Sequence, residues 1–200
     1  MAITPDSVRP LRGRPRNAAT RDAILHAAYD LVLAHGFAAV TTAEIAARAG
    51  AGKQTIYRWW PSKATLVLDA LDWYGRGVID EALAHAAGLA GFLARAFDGA
   101  RRAGPVLRAL MAEAQSDPAL RNELRTRLIE QRRVALRHAL RAHGVGDPVR
   151  QETLVAAIYG AMWVRLLLDE PLDGAFVAAM VGLADRARDP TPVGEPGLRH

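Results

Sequence analysis

Apolar residues recur three and four positions apart along most of the chain, and strand-like alternation is nearly absent. The pattern predicts an all-α protein of about nine helices. A first helix is expected from Thr20, with Asp22 in its first turn to meet the positive end of the dipole. Its apolar stripe is Ile24, Ala27, Ala28, Leu31 and Val32, and Gly36 ends it as a left-handed cap. Thr41 and Glu44 have the S/T-x-x-E spacing of a capping box, opening a short helix with Ile45, Ala46 and Ala49 inward and Gly50 at its end. A third helix runs from about Gly52 to Trp60, where Pro61 stops it. Ser62 caps a longer fourth, which Gly75 and Gly77 weaken, so a kink or early end is expected there.

Beyond that point helices are expected at about 88–102 and 105–115. Asp117-Pro118 and Asp147-Pro148 each read as an N-cap followed by proline at N1, opening helices to about His143 and Asp169. A last helix spans roughly 173–188. The Pro/Arg-rich stretch 1–17 reads as a flexible basic arm and the Pro/Gly-rich stretch 189–200 as a disordered tail.

Charge divides the chain unevenly. Residues 1–63 carry nine Lys/Arg against four Asp/Glu, whereas 64–200 carry 17 of each. The whole excess of +5 lies in the first third, which suggests a polyanion-binding end on a neutral body. Arginine outnumbers lysine 24 to 2, and both lysines, Lys53 and Lys63, flank one short segment rich in aromatics. The chain has no cysteine, so no disulfide framework or thiolate metal site is expected. No apolar run approaches the roughly 20 residues of a membrane span, and the N-terminus lacks the apolar core of a secretory signal. A cytoplasmic location fits best.

Three short helices with a glycine turn between the second and third fit a helix-turn-helix, whose recognition helix enters the DNA major groove. At 100° per residue, Ile56 and Trp60 point one way while Gln54 and Arg58 point the other, flanked by Thr55 and Tyr57, with Trp59 on the boundary. Gln addresses adenine, Arg or Lys guanine, and a Thr methyl the thymine methyl. The Tyr57 hydroxyl and Lys63 suit phosphates. A merely solvated polar face is the alternative at this point.

The run "TTAEIAARAGAGKQTIYRWWPSKATLVLDAL", Thr41 to Leu71, resembles the DNA-binding signature of the tetracycline-repressor (TetR) family of bacterial regulators. The matching features are Thr41-Thr42, Ile45-Ala46, Ala49-Gly50, Thr55-Ile56-Tyr57, an aromatic pair before Pro61, and Ser62-Lys63. The upstream "RDAILHAAYDLVLAHGFAAVTT" is similar to the family's first helix. The resemblance implies phosphate contacts from Thr42, Tyr57 and Lys63, and groove-facing positions at Lys53, Gln54, Thr55 and Trp59. Arg58 joins them on helical geometry alone. Trp59 departs from the usual His or Tyr, and Trp60 takes a place usually held by Phe and reads as core.

The same resemblance implies a DNA-binding domain at 18–63 and a helical regulatory and dimerisation domain at 64–188. In such a domain a small molecule binds and the last two helices pair with their copies across a two-fold axis. The sequence is compatible: "LVAAIYGAMWVRLLL" and "FVAAMVGLAD" are apolar with small residues permitting close approach. Interface candidates are Ala157, Gly160, Ala161, Val164, Phe176 and Met180. Candidates for a mixed apolar pocket are Trp73, Tyr74, Phe92, Phe97, Met111, Tyr159 and Trp163, residue types equally at home in a core. Arg165 suits an anionic ligand or, more simply, an acidic neighbour.

Enzymatic readings fare badly: no G-x-S-x-G or H-E-x-x-H occurs. His138 and His143 lie about 140° apart round a helix and cannot share a metal. No cofactor is expected. The reading is a homodimeric DNA-binding regulator, a repressor released from a palindromic operator by a small molecule, with the fourth helix as the moving part. A helical ligand carrier whose basic end binds nucleic acid or membrane non-specifically is the alternative.

Overall fold

The computed structural model describes residues 14–84 and 88–190, with side chains for 18–75 and 88–190. Every regular element among them is helical, as expected: α1 (Arg14–His35), α2 (Thr42–Arg48), α3 (Lys53–Trp59), α4 (Lys63–Ala84), α5 (Gly88–Arg102), α6 (Gly104–Ser116), α7 (Pro118–Glu123), α8 (Glu130–Ala142), α9 (Pro148–Leu167) and α10 (Gly174–Asp185). A π-helical stretch, Leu124–Ile129, joins α7 to α8. No helix among the described residues is long and apolar enough to cross a membrane. Two compact units divide inside α4, between Ala70 and Leu71.

In the first unit α1 begins at Arg14, before the expected start at Thr20, so the last residues assigned to the arm are helical. Pro15 lies in the first turn, where its missing N–H has no helical partner to lose. The rest of the arm, and the tail from 191, lie outside the described residues. Ile24, Ala28 and Val32 are buried as the stripe predicts, but Leu25 is buried in preference to Leu31. Gly36 ends α1 at φ +81°, a conformation costly for any residue with a Cβ. They pack with Val40, Ile45, Ala46, Ile56, Leu66, Val67 and Ala70 into one small core.

In the second unit Asp117 caps α7 by accepting from the Ala119 and Leu120 N–H groups, both at 3.0 Å. The helix read as continuous to His143 widens at the π-helical stretch. There the Thr126 hydroxyl donates to the Asn122 and Glu123 carbonyls, drawing on backbone acceptors of the preceding turn. Asp147 caps α9 through the Arg150 N–H at 2.8 Å. Gln151 is buried, and its amide donates to the Val145 carbonyl at 2.6 Å, holding the α8–α9 loop. Helix α4 continues through Gly75 and Gly77 to Ala84, so it has no early end there. A Cβ at Gly75 would stand 2.8 Å from Arg132 Nη2, so the glycine lets that guanidinium lie against the helix. Burial lowers the pKa of Arg132, and its Nη1 donates to the Leu128 carbonyl at 3.0 Å. Asp189, placed in the tail by the sequence, instead accepts from Gly146 N–H at 2.7 Å and pairs with Arg150 at 2.8 Å.

Candidate nucleic-acid interface

The turn that aims α3 is built from backbone. Ala49 caps α2, Gly50 turns at φ +61°, and the Ala51 N–H donates back to Ala46 at 2.9 Å. Only glycine adopts that φ without strain, so the chain reverses tightly and α3 starts at once. On the upstream side the Thr41–Glu44 box is complete. The Glu44 N–H donates to Thr41 Oγ1 at 3.2 Å, and the Thr41 N–H to Glu44 Oε2 at 2.7 Å. That backbone N–H, then the Thr41 hydroxyl, lowers the Glu44 pKa. At its far end α3 stops because Trp60, before Pro61, is extended at φ −131° and ψ 121°. Ser62 and Thr65 then cap α4 reciprocally, N–H to hydroxyl, at 3.1 and 3.2 Å.

Helix α3 has two distinct faces. Ile56 is 1 % exposed and Trp60 3 %. Lys53, Gln54 and Arg58 are exposed, Tyr57 is 56 % exposed, and Thr55 and Trp59 are half-buried. The Trp59 ring stands edge-on to Trp60 at 5.5 Å, and the Arg58 guanidinium lies 5.6 Å from its centroid. Trp59 is therefore braced against the domain while part of it stays accessible.

Two of the phosphate candidates meet: the Thr42 and Tyr57 hydroxyls are hydrogen-bonded at 2.9 Å, joining the start of α2 to α3. The third, Lys63, turns inward. Its Nζ donates to the Phe37 carbonyl at 2.6 Å and the Val40 carbonyl at 2.8 Å, and lies 4.1 Å from the Phe37 ring centroid. Two of its three protons thus close the α1–α2 loop, a role the sequence reading missed. Lys63→Ala is expected to destabilise the unit by about 2 kcal/mol, since both acceptors lose a charged donor. Thermal denaturation checks this; an unchanged melting temperature removes the structural role.

Sequence reading also missed Arg21 and Asp69, which bond to one another and, through Asp69, to the buried Trp60 indole. The signal available was chemical: a buried tryptophan needs an acceptor for its N–H.

In the second unit, Ala157 and Gly160 are exposed on α9, Val164 is 55 % exposed, and Ala161 and Met180 are half-buried. A Cβ at Gly160 would meet nothing within 4 Å. Leu167 and Leu168 are exposed near the end of the same helix, and Ala178 and Ala179 on α10. Phe176 differs from the other interface candidates. It is 6 % exposed, packs on Phe97 at 5.0 Å and lies under the Arg165 guanidinium at 4.4 Å, because its side of α10 faces α5. Arg165 donates to the Pro171 carbonyl at 2.6 Å and neighbours Glu170 at 3.8 Å. Among the pocket candidates, Phe92 and Phe97 are core. Trp73 and Tyr74 form an edge-to-face pair at 5.0 Å, while Met111 and Trp163 are half-buried. The Tyr159 hydroxyl donates to the Arg132 carbonyl at 2.9 Å, and burial pushes its pKa up to about 12.

A polar recognition helix pinned from behind by Ile56 and Trp60, set after a glycine turn, defines a helix-turn-helix protein. Comparison with known proteins agrees. Residues 24–70 match the family described as bacterial regulatory proteins, tetR family, and residues 81–184 the tetracyclin repressor-like C-terminal domain. The HTH-type transcriptional regulator YdeS of Bacillus subtilis (strain 168) is 37% identical over 171 residues, covering 78% of this chain and 83% of YdeS. The crystal structure of the TetR family transcription regulator SCO0332 is 35% identical with a TM-score of 0.64, covering 83% of this chain and 97% of that one. Thermus thermophilus FadR, a TetR-family repressor solved with lauroyl-CoA, shares the fold at 21% identity and a TM-score of 0.62, over 88% of this chain and 99% of its own. The chain belongs to the TetR family and is a DNA-binding transcription regulator.

Proposed function

We propose that the protein is a homodimeric repressor that binds a palindromic operator and leaves it when a small molecule binds the second unit. The observation that carries the DNA reading is the two-faced α3, polar and exposed outside, anchored by Ile56 and Trp60 inside, in the basic third of the chain. Lys53, Gln54, Thr55, Arg58 and Trp59 are assigned to base edges, and Thr42 and Tyr57 to phosphates. Lys63 keeps one proton for a phosphate after its two carbonyl bonds.

A palindrome needs two recognition helices about one DNA turn apart, hence two copies. The exposed apolar stretch of α9 with Ala157, Gly160 and Val164, and its neighbour Met180 on α10, suits pairing across a two-fold axis. Phe176 is left out of that surface, since it packs on Phe97 within the protomer. Ligand release is supported by the lauroyl-CoA bound by the FadR neighbour and by the aromatic and Met side chains of the second unit. The ligand must bind the DNA-free conformation better, since only differential affinity shifts the balance.

Gel shift with the DNA flanking the protein's own gene tests the reading. Gln54→Ala is expected to weaken operator binding by about 1–3 kcal/mol while sparing non-specific DNA. Equal losses on both DNAs take Gln54 out of base readout. With Lys63→Ala, a salt slope lower by about 1 supports the phosphate contact, and an unchanged slope removes it.

A further inference from the structure

Asp69 lies early in α4, and its side chain is 16 % exposed. One oxygen, Oδ2, accepts from two other segments: Trp60 Nε1 at 2.8 Å and Arg21 Nη2 at 2.9 Å. Arg21 comes from α1, Trp60 directly follows α3, and the Arg21 guanidinium lies 5.7 Å from the Trp60 ring centroid. Three segments thus converge on one carboxylate, largely withdrawn from water. Hydrogen bonds to an ionised acceptor are roughly twice as strong as neutral ones, and linked bonds reinforce one another.

The seven-residue α3 has little to fix its direction by itself. Gly52 at its N-cap offers no side-chain bond, and Ile56 anchors it by apolar packing, which constrains distance more than rotation. The exposed Tyr57–Thr42 hydroxyl bond ties its middle to α2 but leaves its end free. The Trp60–Asp69 bond is directional. It fixes the end of α3 against α4, and Arg21 holds the same carboxylate against α1. Hydrogen bonds to base edges weaken steeply with angle, so a small rotation of α3 is felt there far more than in phosphate attraction. We propose that Asp69 is a positioning residue for DNA binding, orienting the recognition helix through the Trp60 indole and the Arg21 guanidinium. The proposal rests on the reading that α3 enters the major groove.

The test uses the full chain with Asp69→Ala, Asp69→Asn, Trp60→Phe and the double variant Asp69→Ala/Trp60→Phe. Trp60→Phe keeps the aromatic packing and removes the donor; Asp69→Asn keeps an oxygen that the indole N–H can reach. Asp69→Ala and Trp60→Phe are each expected to lower operator affinity about tenfold with non-specific affinity held within about twofold. Asp69→Asn recovers most of the loss, and the double variant is no worse than Asp69→Ala alone, because that change already removes the bond to Trp60 along with the one to Arg21. Amide exchange in α3 rises in both single variants while that in α2 does not. Equal losses on both DNAs, additive losses in the double variant, or unchanged α3 exchange would overturn the proposal. If the wild-type chain ignores every flanking fragment, the groove reading falls by itself, and α3 exchange still decides whether Asp69 orients the helix.

Discussion

Trp60→Ala is expected to lower the melting temperature of the helix-turn-helix unit by roughly 15–30 °C. Removing a large buried aromatic costs about 3–5 kcal/mol through lost transfer energy and the cavity left behind. The site has little means of collapsing, since Trp60 sits between a helix end and Pro61 and is 3 % exposed. The change also strips Asp69 of a donor in a partly buried setting. A unit described over residues 14–70 has only roughly 3–9 kcal/mol at about 0.05–0.15 kcal/mol per residue, and each 1 kcal/mol moves its midpoint by about 4–8 °C. Differential scanning calorimetry with DNA binding as a second readout checks it. A shift of only a few degrees would mean that Ile56 and the α1 residues hold the unit without the indole.

Under the proposed α9 pairing, Val164→Glu is expected to leave a monomer at micromolar concentration and to weaken operator binding by at least about a hundredfold. In a two-fold interface the change enters twice, so two carboxylates would be desolvated against apolar surface. Operator affinity falls with it, because the second recognition helix no longer benefits from the first one's binding. The protomer itself keeps its helical content, since Val164 is more than half exposed. Sedimentation velocity and circular dichroism on the same sample separate the two effects. A variant that still sediments as a dimer would move the interface off this stretch of α9.

Most of the helices were legible because local rules and tertiary packing agree there. The Thr41–Glu44 box, the Gly36 cap, the Asp117-Pro118 and Asp147-Pro148 starts and the stop at Pro61 are set by groups a few residues apart. The inward placing of Ile56 followed from helical geometry, whereas Trp60, extended just beyond the helix end, is buried with its indole on Asp69. What was not legible depends on partners distant in sequence. Phe176 lies on a helix apolar nearly all round, so periodicity could not say which side meets α5 and which stays exposed. Gly75 reads as a helix breaker until Arg132 from α8 is laid against it. The side chain of Lys63 is long enough to reach outward or inward, and only the positions of the Phe37 and Val40 carbonyls decide between the two.

The seat of Lys63 also discriminates among cations by shape. Two carbonyls converge on one nitrogen at 2.6 and 2.8 Å, and the Phe37 ring centroid lies 4.1 Å from it. An ammonium is compact and turns its protons to any pair of acceptors, whereas a guanidinium is a flat fork with fixed directions. In a chain that uses arginine at 24 of its 26 basic positions, this is a place where the usual exchange of one base for the other does not fit. Charge alone does not specify residue 63; the size of the charged group does.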